Sequence, residues 1–342
     1  MKKIIIIGAG AMGSAFAVPC LENQNDVTLV GTHLEDDLIK KIKLKNNFHP
    51  SLNLELPSKL KVEKFKKLSS ILKNEVDIIV AGVSSIGIEW FVDQISKNYK
   101  KNVPIILLTK GLAIVENELT TLSDKIKKLL EEKGHNEVNV SAIKGPCLAA
   151  GLANKMRTGT VIANRDIKET ELLKKIISTD YYSTEISDDL TGVELAGAIK
   201  NIYSMLIGAS EGLSNSKASK EIQSKYYLNT SASLIHRSIS EMVEFVSHYG
   251  GKAETVYGLA GLGDLYVSAI GGRNSLMGKY LGEGYLYEEA KEKFMKNITI
   301  EGAQLALEIG PKILQELNPR HFPLMFSMLS TICENKKLEI DW

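Results

Sequence analysis

The first thirteen residues combine an apolar run with a glycine-rich turn, and this pairing constrains the fold more than any other stretch. Lys3–Ile7 contains four consecutive isoleucines, which predicts a buried strand. Gly8, Gly10 and Gly13 follow at once with GxGxxG spacing. That spacing predicts a tight turn at Gly8, close approach of a pyrophosphate to the backbone at Gly10, and close helix–strand packing at Gly13.

A helix is expected to open directly after this turn. Ala11 and Met12 stand at its start, where free backbone N–H groups and the positive end of the helix dipole favour a phosphate. A lone GxGxxG is weak evidence, but here it lies between two predicted strands, the second at Val27–Val30. We therefore expect a Rossmann-type dinucleotide-binding site at this turn.

Short β-rich runs alternate with helix-length patterns from Lys2 to about Ser187. This alternation predicts a doubly wound, mostly parallel sheet. The predicted strands are Lys3–Ile7, Val27–Val30, Val76–Gly82, Val103–Thr109, Val138–Ile143 and Thr160–Ala163, with Tyr181–Glu185 as a last edge strand. Lys59–Lys73 and Asn117–Lys133 are predicted to be amphipathic helices, because their lysines fit a solvated face.

Beyond Ser187 only helical periodicity is found. Thr191 and Glu194 have capping-box spacing ahead of apolar residues that recur every three or four positions. A second helical run extends from Leu228 to Val246 and stops at Gly250 and Gly251. The predicted fold class is α/β, with an N-terminal Rossmann-type doubly wound domain over residues 1–187 and an all-helical C-terminal domain over 188–342.

Bulk composition excludes several classes of protein. The net charge of the 342-residue chain is +1, which gives no electrostatic case for a nucleic-acid partner. No segment has the ~20 apolar residues that a membrane span needs, so no membrane insertion is expected. Three widely spaced cysteines and six scattered histidines form neither a disulfide framework nor a metal-ligand pattern. We expect a cytoplasmic protein without a metal, and the glycines after Ile7 argue against reading the N terminus as a signal peptide.

The end of the second strand bears on which dinucleotide is bound. An acid there would bind the ribose hydroxyls of NAD, but Glu35 and its acidic neighbours stand several residues beyond the end of the strand, so no acid is well placed for NAD. No arginine is available there for the 2′-phosphate of NADP. Thr32 and His33 are able to hydrogen-bond a phosphate, which favours NADP or dual use of NAD and NADP. They are equally well read as plain loop residues. Val83 and Ser84 stand where a loop would cover the cofactor.

Several polar residues sit in patterns that carry chemistry. Lys200 interrupts a long apolar helix pattern, where a lysine is either a proton donor or a side chain that reaches out to solvent. Lys110 follows a strand, Asp264 follows an apolar glycine turn, and Arg273 with Asn274 follows Gly271 and Gly272. An arginine with neighbouring donors suits a phosphate. Taken singly, each also fits a helix cap or an ordinary surface position.

Together these pieces resemble the NAD(P)-dependent glycerol-3-phosphate dehydrogenases, and the resemblance runs nearly end to end. The matching segments are Gly8–Gly13, Thr109–Gly111, Gly145-Pro146, Gly192–Asn201, Gly258–Leu265, Arg273-Asn274 and Ile300–Gly302. The lysine–asparagine pair in its helix, the Gly-Leu-Gly-Asp-Leu turn and the later Arg-Asn are specific to that family.

The resemblance implies roles for individual residues. Lys200 is implied to be the catalytic acid/base that protonates the carbonyl oxygen of dihydroxyacetone phosphate, with Lys110 at the reacting oxygen and Asp264 setting the charge of the lysine. The implied substrate contacts are Lys110, Gly145, Asn201, Ser268, Arg273 and Asn274. The implied cofactor contacts beyond the glycine-rich turn are Thr32, His33, Val83, Ser84, Lys110, Ala149, Arg273 and Glu301. A homodimer is a family-level expectation.

The chain departs from the family pattern at a few positions. Cys147 and Leu148 replace the usual hydroxyl residue and phenylalanine, Ser268 replaces threonine, and Ser275 with Leu276 replaces a basic pair. The expected activity is the interconversion of dihydroxyacetone phosphate and sn-glycerol 3-phosphate, which supplies glycerophospholipid synthesis. Reduction of another small phosphorylated ketone or ketose is the alternative. A third reading is a dinucleotide-binding sensor without catalysis, because fold alone does not determine function.

Overall fold

The chain folds into two compact units, each with its own hydrophobic core. A computed structural model describes residues 1–100, 102–214, 219, 221–222 and 226–340. The first unit comprises Met1–Lys110 and Thr121–Leu190, and the second comprises Gly111–Thr120 and Thr191–Trp342. The segment 111–120, which the sequence places in the first domain, thus belongs to the second unit.

An eight-stranded sheet organises the first unit. The strands of the described residues are β1 (Lys3–Ile7), β2 (Asp26–Val30), β3 (Phe48–His49), β4 (Leu54–Glu55), β5 (Lys61–Glu63), β6 (Ile78–Ala81), β7 (Ile105–Leu107), β8 (Leu112–Val115), β9 (Glu118–Thr121), β10 (Val140–Lys144), β11 (Thr158–Ala163) and β12 (Tyr182–Ser187). The order in the large sheet is β12-β11-β10-β7-β6-β1-β2-β5, and all neighbouring strands in it are parallel except β10 and β11. The predicted doubly wound, mostly parallel sheet is confirmed.

Helices cover this sheet and bury apolar side chains such as Phe16, Ile39 and Ile42 against it. The helices of the first unit are α1 (Ala11–Glu22), α2 (Asp36–Leu44), α3 (Leu68–Leu72), α4 (Ile88–Ser96), α5 (Leu122–Glu132), α6 (Ala149–Ala153) and α7 (Ile167–Ile177). Side chains cap two of them: Thr121 accepts a hydrogen bond from the Asp124 N–H, and Asp166 accepts one from the Lys168 N–H.

Three local predictions are wrong. Lys59–Lys73 is not one helix, because Lys61–Glu63 forms β5 beside β2 and only Leu68–Leu72 is α-helical. Asn117–Lys133 likewise begins with β9, which pairs only with the short strand β8, and its helix starts at Leu122. The capping box is also wrong, because α8 (Leu190–Leu213) starts before Thr191 and places it inside the helix. Short strands that depend on a pairing partner leave little periodicity in their own sequence.

The second unit is helical, as predicted. Its helices after α8 are α9 (Leu228–His248), α10 (Asp264–Gly271), α11 (Arg273–Gly282), α12 (Tyr287–Phe294), α13 (Glu301–Glu316) and α14 (Pro323–Cys333), with a π-helical turn at Leu259–Gly263. The β8–β9 hairpin joins this unit, and Leu112 of β8 is buried in its core. In the part of the chain that the structure describes, no helix is long and apolar enough to cross a membrane.

A buried carboxylate ties three helices of this unit together. Glu241 of α9 accepts a hydrogen bond from the Tyr203 hydroxyl of α8 at 3.0 Å. It also accepts the backbone N–H groups of Leu324 and Met325 at 2.8 and 2.9 Å, in the first turn of α14. Burial raises the pKa of the Glu241 carboxyl above its ordinary value, although these donors act in the opposite direction. The Glu241 carboxylate thus accepts hydrogen bonds from N–H groups that have no partner within the first turn of α14, and it links α14 to α8 through Tyr203.

Candidate active site

The glycine-rich turn is built by close backbone contacts that no side chain would allow. Gly8 has a φ of +111°, and a Cβ there would lie 2.5 Å from the carbonyl oxygen of Gly82. A Cβ on Gly13 would lie 2.2 Å from the carbonyl oxygen of Gly8. Gly10 precedes α1, which begins at Ala11 with Met12 in its first turn. The turn therefore leaves the N terminus of α1 open at the carboxyl end of β1, where a parallel sheet binds its ligand.

Glu35 reaches this turn from the loop after β2. Its Oε2 accepts hydrogen bonds from the backbone N–H groups of Ala9 and Thr32, at 2.9 and 2.8 Å. A Cβ at Gly10 would lie 3.9 Å from its Oε1. The expectation that no acid reaches this corner is wrong, because the loop path brings the late carboxylate back to the glycines. The sequence signal is a glutamate four residues beyond Gly31, which spacing alone does not separate from its acidic neighbours.

Four further residues predicted for the cofactor lie on loops of the first unit that meet the same turn. Thr32 follows Gly31, and its hydroxyl accepts the Leu34 N–H at 3.4 Å. His33 is exposed and its ring lies against Phe65 and Trp90. Ser84 and Val83 follow β6, and the Val83 carbonyl accepts a hydrogen bond from the Thr109 hydroxyl at 2.6 Å. The structure thus brings the loops after β1, β2 and β6 together.

A second cluster lies at the carboxyl ends of β7 and β10. Lys110 donates a hydrogen bond to the Gly145 carbonyl, with 3.5 Å between Nζ and O. Both line a small cavity of about 20 Å³ together with Met12, Cys147 and Lys144. Lys144 is only 1% exposed, and its Nζ lies 3.4 Å from the Leu107 carbonyl oxygen. No sequence pattern marks this lysine, because a lysine at the end of an apolar strand resembles the polar end of any strand.

One predicted residue lies beside that cluster. Ala149 begins the short helix α6, directly after the exposed Leu148 and close in sequence to Cys147. It is half-buried, so its backbone and methyl group are partly open to a ligand.

The second unit holds the predicted acid/base as a buried ion pair. The Lys200 ammonium lies 2.9 Å from Oδ1 of Asp264, and each side chain is 3% exposed. Lys200 also hydrogen-bonds the hydroxyl of Ser268, which is one turn further along α10 than Asp264. A buried cation needs such compensation, because an isolated ammonium in an apolar interior is expensive. Lys200 therefore does not reach out to solvent.

The turn before α10 explains how Asp264 reaches Lys200. Residues Leu259–Gly263 form a π-helical turn, and a Cβ on Gly261 would lie 2.1 Å from the Val256 carbonyl oxygen. Only glycine permits this approach. The turn therefore delivers Asp264 to the first position of α10, with its carboxylate buried.

A chain of amides joins α8 to α11 and α13. The Asn274 side-chain N–H group donates to Oδ1 of Asn201 at 2.9 Å, and the Gly302 backbone N–H donates to Oδ1 of Asn274 at 2.9 Å. Arg273 pairs with Glu301, with 3.1 Å between Nη2 and Oε1, and both side chains are about half exposed at 55% and 45%. A guanidinium beside buried amides is suited to an oxyanion that replaces or shares this counter-ion.

Backbone contact between α8 and α11 sets these distances. A Cβ on Gly278 would lie 1.8 Å from the Met205 carbonyl oxygen, and a Cβ on Gly208 would lie 2.3 Å from the Ser275 carbonyl oxygen. The two helices therefore cross with glycines at their contact. Lys200 and Asn201 on one helix stay close to Arg273 and Asn274 on the other because of this crossing.

A Rossmann unit with an open glycine-rich turn, followed by a helical unit with a buried lysine–carboxylate pair, defines a two-unit dinucleotide-dependent oxidoreductase. Family models narrow this class. The N-terminal model of NAD-dependent glycerol-3-phosphate dehydrogenase matches residues 3–170, and the C-terminal model matches residues 189–340. The chain belongs to the NAD-dependent glycerol-3-phosphate dehydrogenase family.

Individual relatives agree over nearly the whole length. The chain is 32% identical to the NADP(+)-dependent glycerol-3-phosphate dehydrogenase of Archaeoglobus fulgidus, over 98% of this chain and 96% of that protein. It is 31% identical to the glycerol-3-phosphate dehydrogenase [NAD(P)+] of Mesoplasma florum, over 96% of this chain and 93% of that one. The crystal structure of glycerol-3-phosphate dehydrogenase from Coxiella burnetii superposes with a TM-score of 0.81 at 26% identity, covering 98% of this chain and 96% of the other.

Proposed function

We propose that the protein interconverts dihydroxyacetone phosphate and sn-glycerol 3-phosphate with NAD or NADP, and so supplies glycerophospholipid synthesis. The buried Lys200–Asp264 pair carries this proposal, because it places a charged proton donor beside the amides and arginine suited to a phosphate. Full-length similarity to relatives that bear the name of this activity supports it.

Each part of the chain is proposed to supply most of the contacts to one ligand. Residues 1–187 bind the cofactor mainly through the turn at Gly8–Gly13, and residues 188–342 supply most of the contacts to the phosphorylated substrate. A bound nicotinamide cofactor would supply the hydride for reduction of the carbonyl carbon and would take up the hydride in the reverse direction. Lys200 gives its proton to the carbonyl oxygen during reduction and takes it back during oxidation. Asp264 stabilises the charged form of the lysine before this transfer.

The remaining site residues position the substrate. Arg273 binds the phosphate as a planar donor, and Asn201 with Asn274 fixes the neighbouring helices and offers amide groups to substrate oxygens. Ser268 holds Lys200 in place. We further propose that Lys110 and Gly145 contact substrate, that Lys110, Ala149, Arg273 and Glu301 contact cofactor, and that Thr32, His33, Val83 and Ser84 do so at the other end. Substitution of each of these residues, followed by measurement of KM and cofactor affinity, tests its role.

Two properties of the whole protein are also proposed. A cytoplasmic location is supported by the three cysteines, none of which forms a disulfide within the described residues. A homodimer is proposed from the family resemblance alone, and size-exclusion chromatography with light scattering tests it directly.

Oxidation of NADH and of NADPH with dihydroxyacetone phosphate tests the activity. We expect turnover with at least one cofactor, and Lys200→Met is expected to lower kcat by ~10³-fold or more while NADH still binds, because it removes the proton donor. Lys312→Met is the matched control, since Lys312 is a second buried lysine of the same unit that pairs with Glu316. Bound cofactor without turnover would favour another phosphorylated ketone, because Cys147 departs from the family pattern and lines the cavity with Lys110. Full activity in Lys200→Met would contradict the acid/base role.

A further inference from the structure

Three aromatic rings from three separate segments of the chain converge in the first unit. The His33 and Trp90 ring centroids lie 5.0 Å apart, those of Phe65 and Trp90 lie 5.4 Å apart, and those of His33 and Phe65 lie 6.2 Å apart. His33 is exposed, whereas Phe65 and Trp90 are half-buried. We call these three residues the aromatic cluster. No motif of the sequence marks Phe65 or Trp90.

The aromatic cluster lies at the ligand-binding edge of the sheet. His33 follows β2, Phe65 follows β5, and Trp90 lies in the first turn of α4, which follows β6. These strands flank β1, since the local order is β6-β1-β2-β5 and all four are parallel. Their carboxyl ends therefore share the edge at which the glycine-rich turn stands.

Hydrogen bonds fix the aromatic cluster close to that turn. Glu35 bridges the backbone N–H groups of Ala9, inside the turn, and of Thr32, the residue before His33. The Gly8 N–H donates to the Val30 carbonyl at 2.9 Å, and the Gly31 N–H donates to the Glu63 carbonyl at 3.0 Å. The loops that carry His33 and Phe65 are thus registered on the glycines through consecutive backbone contacts.

The chemistry of the aromatic cluster suits a flat, uncharged ring. Phenylalanine and tryptophan faces offer no hydrogen bond to a phosphate, but they stack on a purine base, whose π-face every aromatic side chain can meet. Lys64, the residue before Phe65, pairs with Asp36 at 3.9 Å, so its charge already has a partner within the first unit. A phosphate is therefore a poorer match here than the base of a dinucleotide.

We propose that His33, Phe65 and Trp90 form the surface on which the adenine ring of the dinucleotide stacks. This inference rests on the dinucleotide site of the proposed function, and it assigns His33 to the base rather than to a phosphate. The glycine-rich turn takes the pyrophosphate, and the aromatic cluster takes the base.

Tryptophan fluorescence tests the proposal without any turnover. The chain has two tryptophans, Trp90 and Trp342, so Trp342→Phe leaves Trp90 as the single reporter. In this variant we expect ADP-ribose and 5′-AMP to quench the emission saturably, and nicotinamide mononucleotide to leave it unchanged. Calorimetric binding of ADP-ribose with unchanged Trp90 emission would overturn the proposal.

Affinity measurements give a second, independent arm. Trp90→Leu and Phe65→Leu are each expected to raise the Kd for ADP-ribose by ~5- to 100-fold, as loss of one stacking partner does elsewhere. His135→Leu is the matched control, because His135 contacts Tyr99 in a ring pair of the same unit with centroids 5.3 Å apart. Equal Kd values for the parent and both leucine variants would overturn the proposal.

The outcomes separate this inference from the proposed function. If ADP-ribose quenches the emission saturably but dihydroxyacetone phosphate is not turned over, the result supports adenine binding at the aromatic cluster and contradicts the proposed substrate. If dihydroxyacetone phosphate is turned over but ADP-ribose leaves the Trp90 emission unchanged, the result supports the proposed function and contradicts adenine binding at the aromatic cluster.

Discussion

At the scale of single residues, the carboxylate of Glu35 lies directly at the glycine-rich turn. Two backbone N–H donors hold its Oε2, and its Oε1 stands 3.9 Å from where a Cβ on Gly10 would be. A carboxylate in this corner accepts a hydrogen bond from a ribose hydroxyl but repels the 2′-phosphate of NADP. Its geometry therefore opposes the preference for NADP that Thr32 and His33 suggest.

Glu35→Gln tests this effect of charge. We expect the ratio of kcat/KM for NADPH to that for NADH to rise about tenfold, because a neutral amide removes roughly 1.4 kcal/mol of repulsion from the phosphorylated cofactor. Asp37→Asn is the control, since Asp37 is an exposed acid two residues further along, in the first turn of α2, that pairs with Lys40. A loss of activity that is equal for both cofactors would show that Glu35 only holds the loops together.

Sequence patterns reveal site residues only where the local context is unusual. Lys200 stands out because it interrupts an apolar helix, and Gly8 to Gly13 stand out by spacing. Glu35 and Lys144 do not, because the position of Glu35 depends on the path of a loop and Lys144 resembles the polar end of any strand. The pairing of Lys200 with Asp264 spans 64 residues, so only the family resemblance brings them together before the structure is known.

At the scale of elements, the crossing of α8 and α11 controls the geometry of the helical unit. Gly278→Ala is expected to push the helices apart, because its Cβ would lie 1.8 Å from the Met205 carbonyl oxygen. Overpacking of this kind costs ~1–3 kcal/mol, and it displaces Arg273 and Asn274. We expect a lower urea midpoint and a KM for the phosphorylated substrate at least ~10-fold higher.

Gly271→Ala is the matched substitution, since a Cβ there meets nothing within 4 Å. It is expected to leave both the midpoint and KM near those of the parent. Unchanged kinetics in Gly278→Ala would show that the crossing tolerates separation and does not position the arginine.

Elements differ in how far sequence predicts them. The buried strands of the sheet are predicted correctly, because apolar runs such as Ile4–Ile7 are stable only within a hydrophobic core. Lys61–Glu63 and Glu118–Thr121 are missed because they are short and half-polar, and their strand conformation comes from pairing with β2 and β8. Non-local pairing is not encoded in the periodicity of the segment itself.

At the scale of the whole molecule, the chain passes between two cores more often than its order of motifs suggests. The β8–β9 hairpin leaves the first unit after Lys110 and returns at Thr121, yet Leu112 is 1% exposed within the core of the second unit. β8 packs against α13 of that unit. Gly111, with a φ of +157°, stands at the crossing. Leu112, which lies in sequence between two segments of the α/β unit, thus stabilises the helical unit.

Leu112→Ala tests this assignment of the hairpin, because the substitution should destabilise the unit whose core contains Leu112. Truncating a buried leucine costs ~2–5 kcal/mol, and we expect the loss in the helical unit, as faster hydrogen exchange in α13. Ile106→Ala is the matched control, because Ile106 is fully buried only six residues earlier but belongs to the core of the sheet. It should accelerate exchange in β7 and β10 instead. If Leu112→Ala released the sheet strands and spared α13, then position in sequence would decide which core a residue stabilises, and the hairpin would belong with the first unit.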